Sequence, residues 1–180
     1  MVYLLGDEEQ RARRIGDVLG RVKSLEGIDL VAWMQNGEAC VWSSRGELRF
    51  APGSQVTDRR AESWDIDGSL ASLGGEASNG ELRTPSYPDA LGRLWAALGC
   101  DSVGDILISA APQYEFVDWG GADHTGGGSH GSLGLEDSAV PLVFYGCGPD
   151  LDRSAADGRE WSIADVAPVV LDHFGIAQPA

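Results

Sequence analysis

Apolar positions in the first fifty residues change rhythm from helical to extended. Val2 to Leu5 is a short apolar run, and Ala12, Ile15, Val18, Leu19, Val22 and Leu25 then recur at helical spacing. One face of a helix would carry them, with Arg11, Arg13, Arg14 and Arg21 among the other positions as solvated surface and Gly27 as the stop. Ile28 to Met34 reads as a buried strand. Val41-Trp42 and Leu48-Arg49-Phe50 flank Ser43-Ser44-Arg45-Gly46, which predicts a hairpin. Residues 51 to 86 are polar and rich in Gly, Ser, Asp and Glu, with isolated aromatics such as Trp64. They predict an irregular connection holding a short strand or two.

Beyond residue 86 helices and apolar strands alternate. Ser86 is the expected N-cap of a helix with Pro88 in its first turn and Asp89 three residues on. Leu91, Leu94, Trp95 and Leu98 would form its buried stripe, and Gly99 its end. Asp105 to Ser109 and Val140 to Tyr145 read as two buried strands, Pro141 standing near the start of the second. Ser162 opens a last helix with Asp165 at the box position, Ile163, Val166, Val170, Leu171 and Phe174 facing inward and Gly175 closing it. This grammar predicts an α/β class with a largely parallel sheet.

Composition narrows the function. The chain has 180 residues, 13 basic against 28 acidic side chains and a net charge of −15. A charge of that sign repels phosphate backbones and anionic lipid, which argues against a nucleic-acid polymer or a membrane as partner. No apolar run approaches the roughly 20 residues that span a bilayer. The start lacks the basic-then-apolar layout of a secretory signal. Lys23 is the only lysine, which removes a Walker-type phosphate loop and nearly every Schiff-base mechanism. Cys40, Cys100 and Cys147 lie far apart and odd in number, so they predict buried thiols in a reducing, cytoplasmic setting.

The chemistry concentrates between the two later strands, in a loop where six of the twelve residues from Gly120 to Gly131 are glycine. Two of the three histidines, His124 and His130, lie there. A loop of this composition costs entropy to order, which suits a segment that something must approach closely; the alternative is a solvated polar loop. Gly127-Gly128-Ser129-His130-Gly131 spells G-x-S-x-G, yet a serine elbow needs a strand directly before it and a helix directly after. A glycine run precedes Ser129 and an acidic turn follows, which argues against the elbow and leaves a serine hydrolase using Ser129 as an alternative reading. A phosphate cradle is disfavoured because no Lys follows and no helix opens on the glycines.

A metal ligand is the third reading. Gly128-Ser129-His130-Gly131-Ser132-Leu133, then Glu136-Asp137, then Val140-Pro141-Leu142-Val143-Phe144-Tyr145-Gly146 resembles the last metal-ligand segment of the alkaline phosphatase superfamily. The type I phosphodiesterase/nucleotide pyrophosphatase branch is the most similar, with cofactor-independent phosphoglycerate mutases as more distant relatives. Ser162 to Leu171, closing at Phe174-Gly175-Ile176, is similar to that family's C-terminal helix. The resemblance covers residues 87 to 176. It implies residues 87–180 as the C-terminal part of an alkaline-phosphatase-like α/β core, and residues 1–86 as a small α+β cap-like segment.

The resemblance also implies two divalent cations, usually zinc, at strand ends, with a Ser or Thr alkoxide attacking phosphorus in line. By position His130 would complete one metal's ligand set, with Asp123, His124 and Ser129 near the site. The family's Asp-x-x-x-His is missing, because Gly120, Gly126 and Val169 stand four residues before the three histidines. Asp-His pairs occur at Asp123-His124, out of family order, and at Asp172-His173, expected on the exposed side of the final helix. Even an open zinc site needs about three protein ligands. The expectation is therefore a hydrolase part, inactive alone and carrying no catalytic residue of its own. It would act on a phosphoester small molecule or nucleotide once completed by an N-terminal half, and would self-associate without it. The competing expectation is a non-catalytic binding or regulatory remnant.

Overall fold

The computed structural model describes residues 1–117, 120–121, 131–146 and 160–177. The chain divides into two compact units, Met1–Ala139 and Val140–Ala180. Among the described residues no helix is long and apolar enough to cross a membrane.

The first unit is built on a seven-stranded sheet. Helix α1 (Glu8–Lys23) leads to β1 (Ile28–Gln35), β2 (Glu38–Ser43), β3 (Gly46–Thr57) and β4 (Ser63–Gly68). A 3-10 turn at Leu70–Leu73 precedes β5 (Glu76–Ser78) and β6 (Glu81–Arg83); α2 (Ala90–Leu98), β7 (Leu107–Ala110) and the one-turn helix α3 (Leu135–Ser138) complete the unit. The order is β5-β6-β3-β2-β1-β7, with β4 also paired to β3. Mixed α/β content is as expected, but the largely parallel sheet is not. Every strand pairing is antiparallel except a single register, Thr57 opposite Glu81. Three of the pairings, β1–β2, β2–β3 and β5–β6, are made across two-residue turns, and such turns can join only antiparallel neighbours.

Two of those turns are Asn-Gly hairpins that the hydrophobic pattern did not reveal. Asn36 and Gly37 have φ of 54° and 82°, and Asn79 and Gly80 have 53° and 80°. Both pairs sit in the left-handed region that a type I′ turn needs at its two central positions. Asn79-Gly80 builds the β5–β6 hairpin inside residues 51–86, which were expected to hold only a short strand or two. The expected hairpin about Ser43–Gly46 is present, with Ser43 opposite Gly46. The apolar run Val2–Leu5 contributes one bridge, Val2 to Ile106.

Alternation along β1 and β2 divides the core in two. Leu30, Ala32, Ala39 and Val41 face one side, where Leu48, Phe50, Trp64, Leu73, Leu82 and the α2 residues Leu91, Leu94 and Leu98 cover them. Val31, Trp33 and Cys40 face the other, beneath Leu19 and Val22 of α1. The result is a helix–sheet–helix sandwich. Trp64, an isolated aromatic in the sequence, is only 2% exposed and meets Phe50 edge-on at 5.6 Å. Its indole N–H donates to Asp58 Oδ2 at 2.7 Å, so its polar end is satisfied at the sheet margin. Where β3 passes Asp65 it bulges between Pro52 and Val56, and a side chain at Gly53 would collide with the Asp65 carboxylate.

The approach to α2 is fixed by a polar hub. Arg45, in the β2–β3 turn, donates to Asp29 Oδ1 at 3.2 Å, to the carbonyls of Ala71 and Ser72, and to Tyr87 Oη at 2.6 Å. Tyr87 Oη donates in turn to Asp29 Oδ2 at 2.7 Å. Burial, then the Asp29 carboxylate, push the Tyr87 phenol up to about 12. The expected division after residue 86 falls inside this unit, where α2 and the earlier strands share one core.

The second unit is described by itself. Val140 to Tyr145, expected as a buried strand, adopts no regular structure, and Val140, Val143 and Tyr145 are 74%, 81% and 98% exposed. A strand persists only where its N–H and C=O groups find a neighbour, and Pro141 lacks the N–H altogether. The Ser162 cap is as expected: its amide donates to Asp165 Oδ2 at 2.7 Å, and Asp165 closes the capping box. One 3-10 turn (Ile163–Asp165) then leads into α4 (Val166–His173). Gly175, at φ 64°, ends it with the paired Gly175 N–H to Asp172 and Ile176 N–H to Leu171 bonds of a Schellman turn. The expected inward face is not buried, since Ile163, Val170 and Phe174 are 87%, 46% and 68% exposed.

Candidate functional site

His130, the expected metal ligand, lies outside the described residues, as do Asp123, His124 and Ser129. Cys147 does too, while Cys40 is buried and Cys100 exposed. What the structure does describe is the segment that follows His130 in sequence and the elements that hold it.

Gly131 enters that segment at φ 110°, a conformation that L side chains rarely adopt. The Ser132 amide then donates to Asp137 Oδ2 at 3.0 Å, so the acidic turn read from Glu136-Asp137 is a one-turn helix folded back on its own start. Leu133 is the anchor. Its amide donates to Ser109 Oγ on β7 at 3.0 Å. Its carbonyl accepts from Arg93 Nη1 of α2 at 3.1 Å and lies 3.2 Å from Ser138 Oγ. The Leu133 side chain packs against the core face shared by α2 and the sheet. The Leu135 amide donates to the Ser86 carbonyl at 2.9 Å, a second tether to the approach of α2.

Arg93 does more than bind Leu133. The same nitrogen donates to the Pro88 carbonyl at 3.1 Å and to Ser138 Oγ at 2.9 Å. Its partial burial lowers the guanidinium pKa from the ordinary value, an effect the Asp89 carboxylate opposes. Three elements (the α2 entry, the end of the glycine-rich loop and α3) therefore meet at one cation.

Asp89 stands beside it in an unusual setting. Ser86 was the expected N-cap, but the helix begins three residues later and Asp89 occupies the cap position in the left-handed region, φ 51° and ψ 41°. A cap carboxylate ordinarily accepts a helix amide; this one makes no such bond. Its Oδ1 is buried and, among the described residues, has no hydrogen-bond partner. Oδ2 faces Arg60 Nε at 3.5 Å. Burial pushes the Asp89 carboxyl up to about 6, helped by the nearby Asp58 and Glu62 carboxylates and opposed by Arg60 and Arg93.

A metal can be weighed against these donors. Among the described residues no three His, Cys, Asp or Glu side chains come together as a cation site. The described donors thus do not fit a complete zinc set, and no chemical step is assigned to one. Asp172 and His173 fall at the end of α4, both exposed as expected there, with the imidazole against the Phe174 ring at 4.9 Å. No family model, curated protein or solved structure matches the chain.

Arg93 and Ser109 are the residues that sequence reasoning passed over. Arg93 interrupts an apolar helix stripe between Leu91 and Leu94, and Ser109 ends an apolar strand. Neither position announces a partner, because each meets a backbone group of Leu133, 40 residues from Arg93 and 24 from Ser109.

Proposed function

We propose that this chain is the C-terminal portion of a metal-dependent phosphoester hydrolase of the phosphodiesterase/nucleotide pyrophosphatase type. In this reading it is inactive by itself and contributes His130 as one ligand to a divalent cation, zinc by the chemistry of imidazole. The observation that carries the reading is the order of its parts: the G-S-H-G-S-L segment, the acidic turn, the V-P-L run, and the capped helix ending at Phe174-Gly175-Ile176. Two features of the fold support it. The acidic turn is fastened to the end of β7 rather than left as open loop. The V-P-L run and one face of α4 are apolar yet exposed, as expected of surfaces that a further part of an α/β core would cover.

The substrate class is a phosphodiester, pyrophosphate or phosphomonoester of a small molecule or nucleotide. Co-expression with a complementary N-terminal half that carries the nucleophile and the remaining ligands tests this. Zinc uptake and turnover of bis-nitrophenyl phosphate are expected in the pair and lost in His130→Ala. Absence of zinc from every such pairing would instead support a non-catalytic binding module. That second reading is favoured by one sequence observation, the missing Asp-x-x-x-His.

A further inference from the structure

We infer that the outer edge of β7 is an interface at which two copies of this chain pair strand to strand, about a two-fold axis centred on Ser109. The inference does not depend on the hydrolase reading. Backbone groups of successive residues in an antiparallel pair point alternately toward the partner strand and away from it. Ile106, just before β7, exchanges both of its bonds with Val2, at 2.8 and 3.2 Å. Leu107 and Ser109 stand opposite Ala32 and Leu30 of β1, and the Ala111 amide donates to the Gly27 carbonyl at 2.8 Å. These alternate residues therefore bond toward β1, whereas Ile108 and Ala110 point the other way, to the side that Val2 occupies at Ile106. β7 ends the order of the sheet. Among the described residues nothing hydrogen-bonds to the outward groups of Ile108 or Ala110, and neither residue is fully buried.

The other margins of the sheet are unlike this one. β5 is three residues long and carries Glu76, and β4, paired to β3, carries Asp65 and Asp67. Brevity and charge keep such an edge from accepting another strand. Ile106 to Pro112 holds no charged side chain. The open stretch is bounded by Val2 at Ile106 and by a turn in which the Tyr114 amide donates to the Ala111 carbonyl at 3.0 Å. Ser109 stands at its middle. A two-fold there sets Ile108 of each copy against Ala110 of the other, so that their outward groups satisfy one another reciprocally and the facing side chains are apolar. A second copy fits this register because its own turn at Ala111–Tyr114 leaves the edge before it would meet Val2. So short an edge buries less than the roughly 1,000 Å² of a durable interface, which makes the pair weak and concentration-dependent. It also forms against a net charge of −15 on each copy, so salt strengthens it.

Sedimentation equilibrium and amide exchange by NMR test this on the full chain, at concentrations up to about 1 mM. A monomer–dimer equilibrium is expected, tightening as NaCl is raised from about 0.05 to about 0.5 M. Exchange at Ile108 and Ala110 should slow as the concentration rises, while α1 amides keep their rates. Ala110→Pro removes an outward N–H and no bond to β1, and should raise the dissociation constant about tenfold or more. Ala110→Lys lowers the net negative charge yet spoils the edge, and should weaken the dimer likewise. If the proline variant does not fold, the lysine variant decides. A chain that stays monomeric, or Ile108 and Ala110 exchange that ignores concentration, overturns the proposal. A dimer that weakens with salt is held by charge, and overturns it too. So does a dimer that survives both Ala110 variants; its loss in Val143→Asp would put the contact at the exposed Val140–Tyr145 run instead.

Discussion

Ile28–Met34 and Val140–Tyr145 are both nearly continuous apolar runs, yet only the first is a strand. In the first, residues Leu30 to Trp33 are buried, with β2 on one side and β7 on the other. In the second, Val143 is 81% exposed and no strand is formed. Hydrophobicity alone does not make a strand; the backbone must also find partners for its polar groups. Asn36-Gly37, directly after β1, supplies such a partner by reversing the chain into β2.

The largest expected effect is the contrast itself. Phe50→Ala removes a ring that is 1% exposed and packs on Trp64, and should cost about 3–5 kcal/mol in urea unfolding. Val143→Asp should change the stability of the chain by less than about 0.5 kcal/mol, because the side chain is solvated. In a co-expressed pair the same Val143→Asp is expected to weaken association, read by gel filtration. A neutral result there would break the view that this run awaits a partner.

A smaller effect sharpens why the first run is paired. Gly37→Ala places a Cβ at φ 82° in the β1–β2 turn and should cost about 1 kcal/mol in thermal unfolding. Loss of nothing would mean that the sheet, rather than the turn, sets the register.

The smallest concerns Asp89. Its folded carboxyl is raised to about 6, above the ordinary aspartate value of about 3.9. The folded state therefore binds the proton more tightly than the unfolded chain. The stabilisation is fully present below about pH 4 and is lost as pH rises through about 6. Asp89→Asn tolerates the left-handed backbone and carries no charge, so it should flatten that decline. At pH 7 it should unfold at a higher urea concentration than the parent, by about 1 kcal/mol or less. A steeper decline in the variant would contradict the burial argument.

Much of the local structure was legible in the residues. The periodicity of α1, the strand at Ile28, the Ser43–Gly46 hairpin, the α2 stripe and the Ser162–Asp165 box all depend on neighbours within a few positions. Residues 51–86, expected as an irregular connection with a short strand or two, hold more sheet than that, since β4 is placed by pairing with β3 and Trp64 by the far side of the core. The same holds for the cap of α2. Ser86 has the right chemistry for it, but the Arg45–Asp29–Tyr87 hub holds the approach in another shape and moves the start to Ala90.

For the proposed site, the sequence supplied the ingredients: a glycine-rich loop, two histidines within it and an acidic turn. Tertiary structure decided what grips the end of that loop. An arginine in a helix stripe and a serine near a strand end acquire their roles only when the fold brings the Leu133 backbone between them. Local patterns follow from each residue's own propensities and near neighbours, whereas an anchor such as that of Leu133 depends on long-range closure that no spacing in the chain encodes.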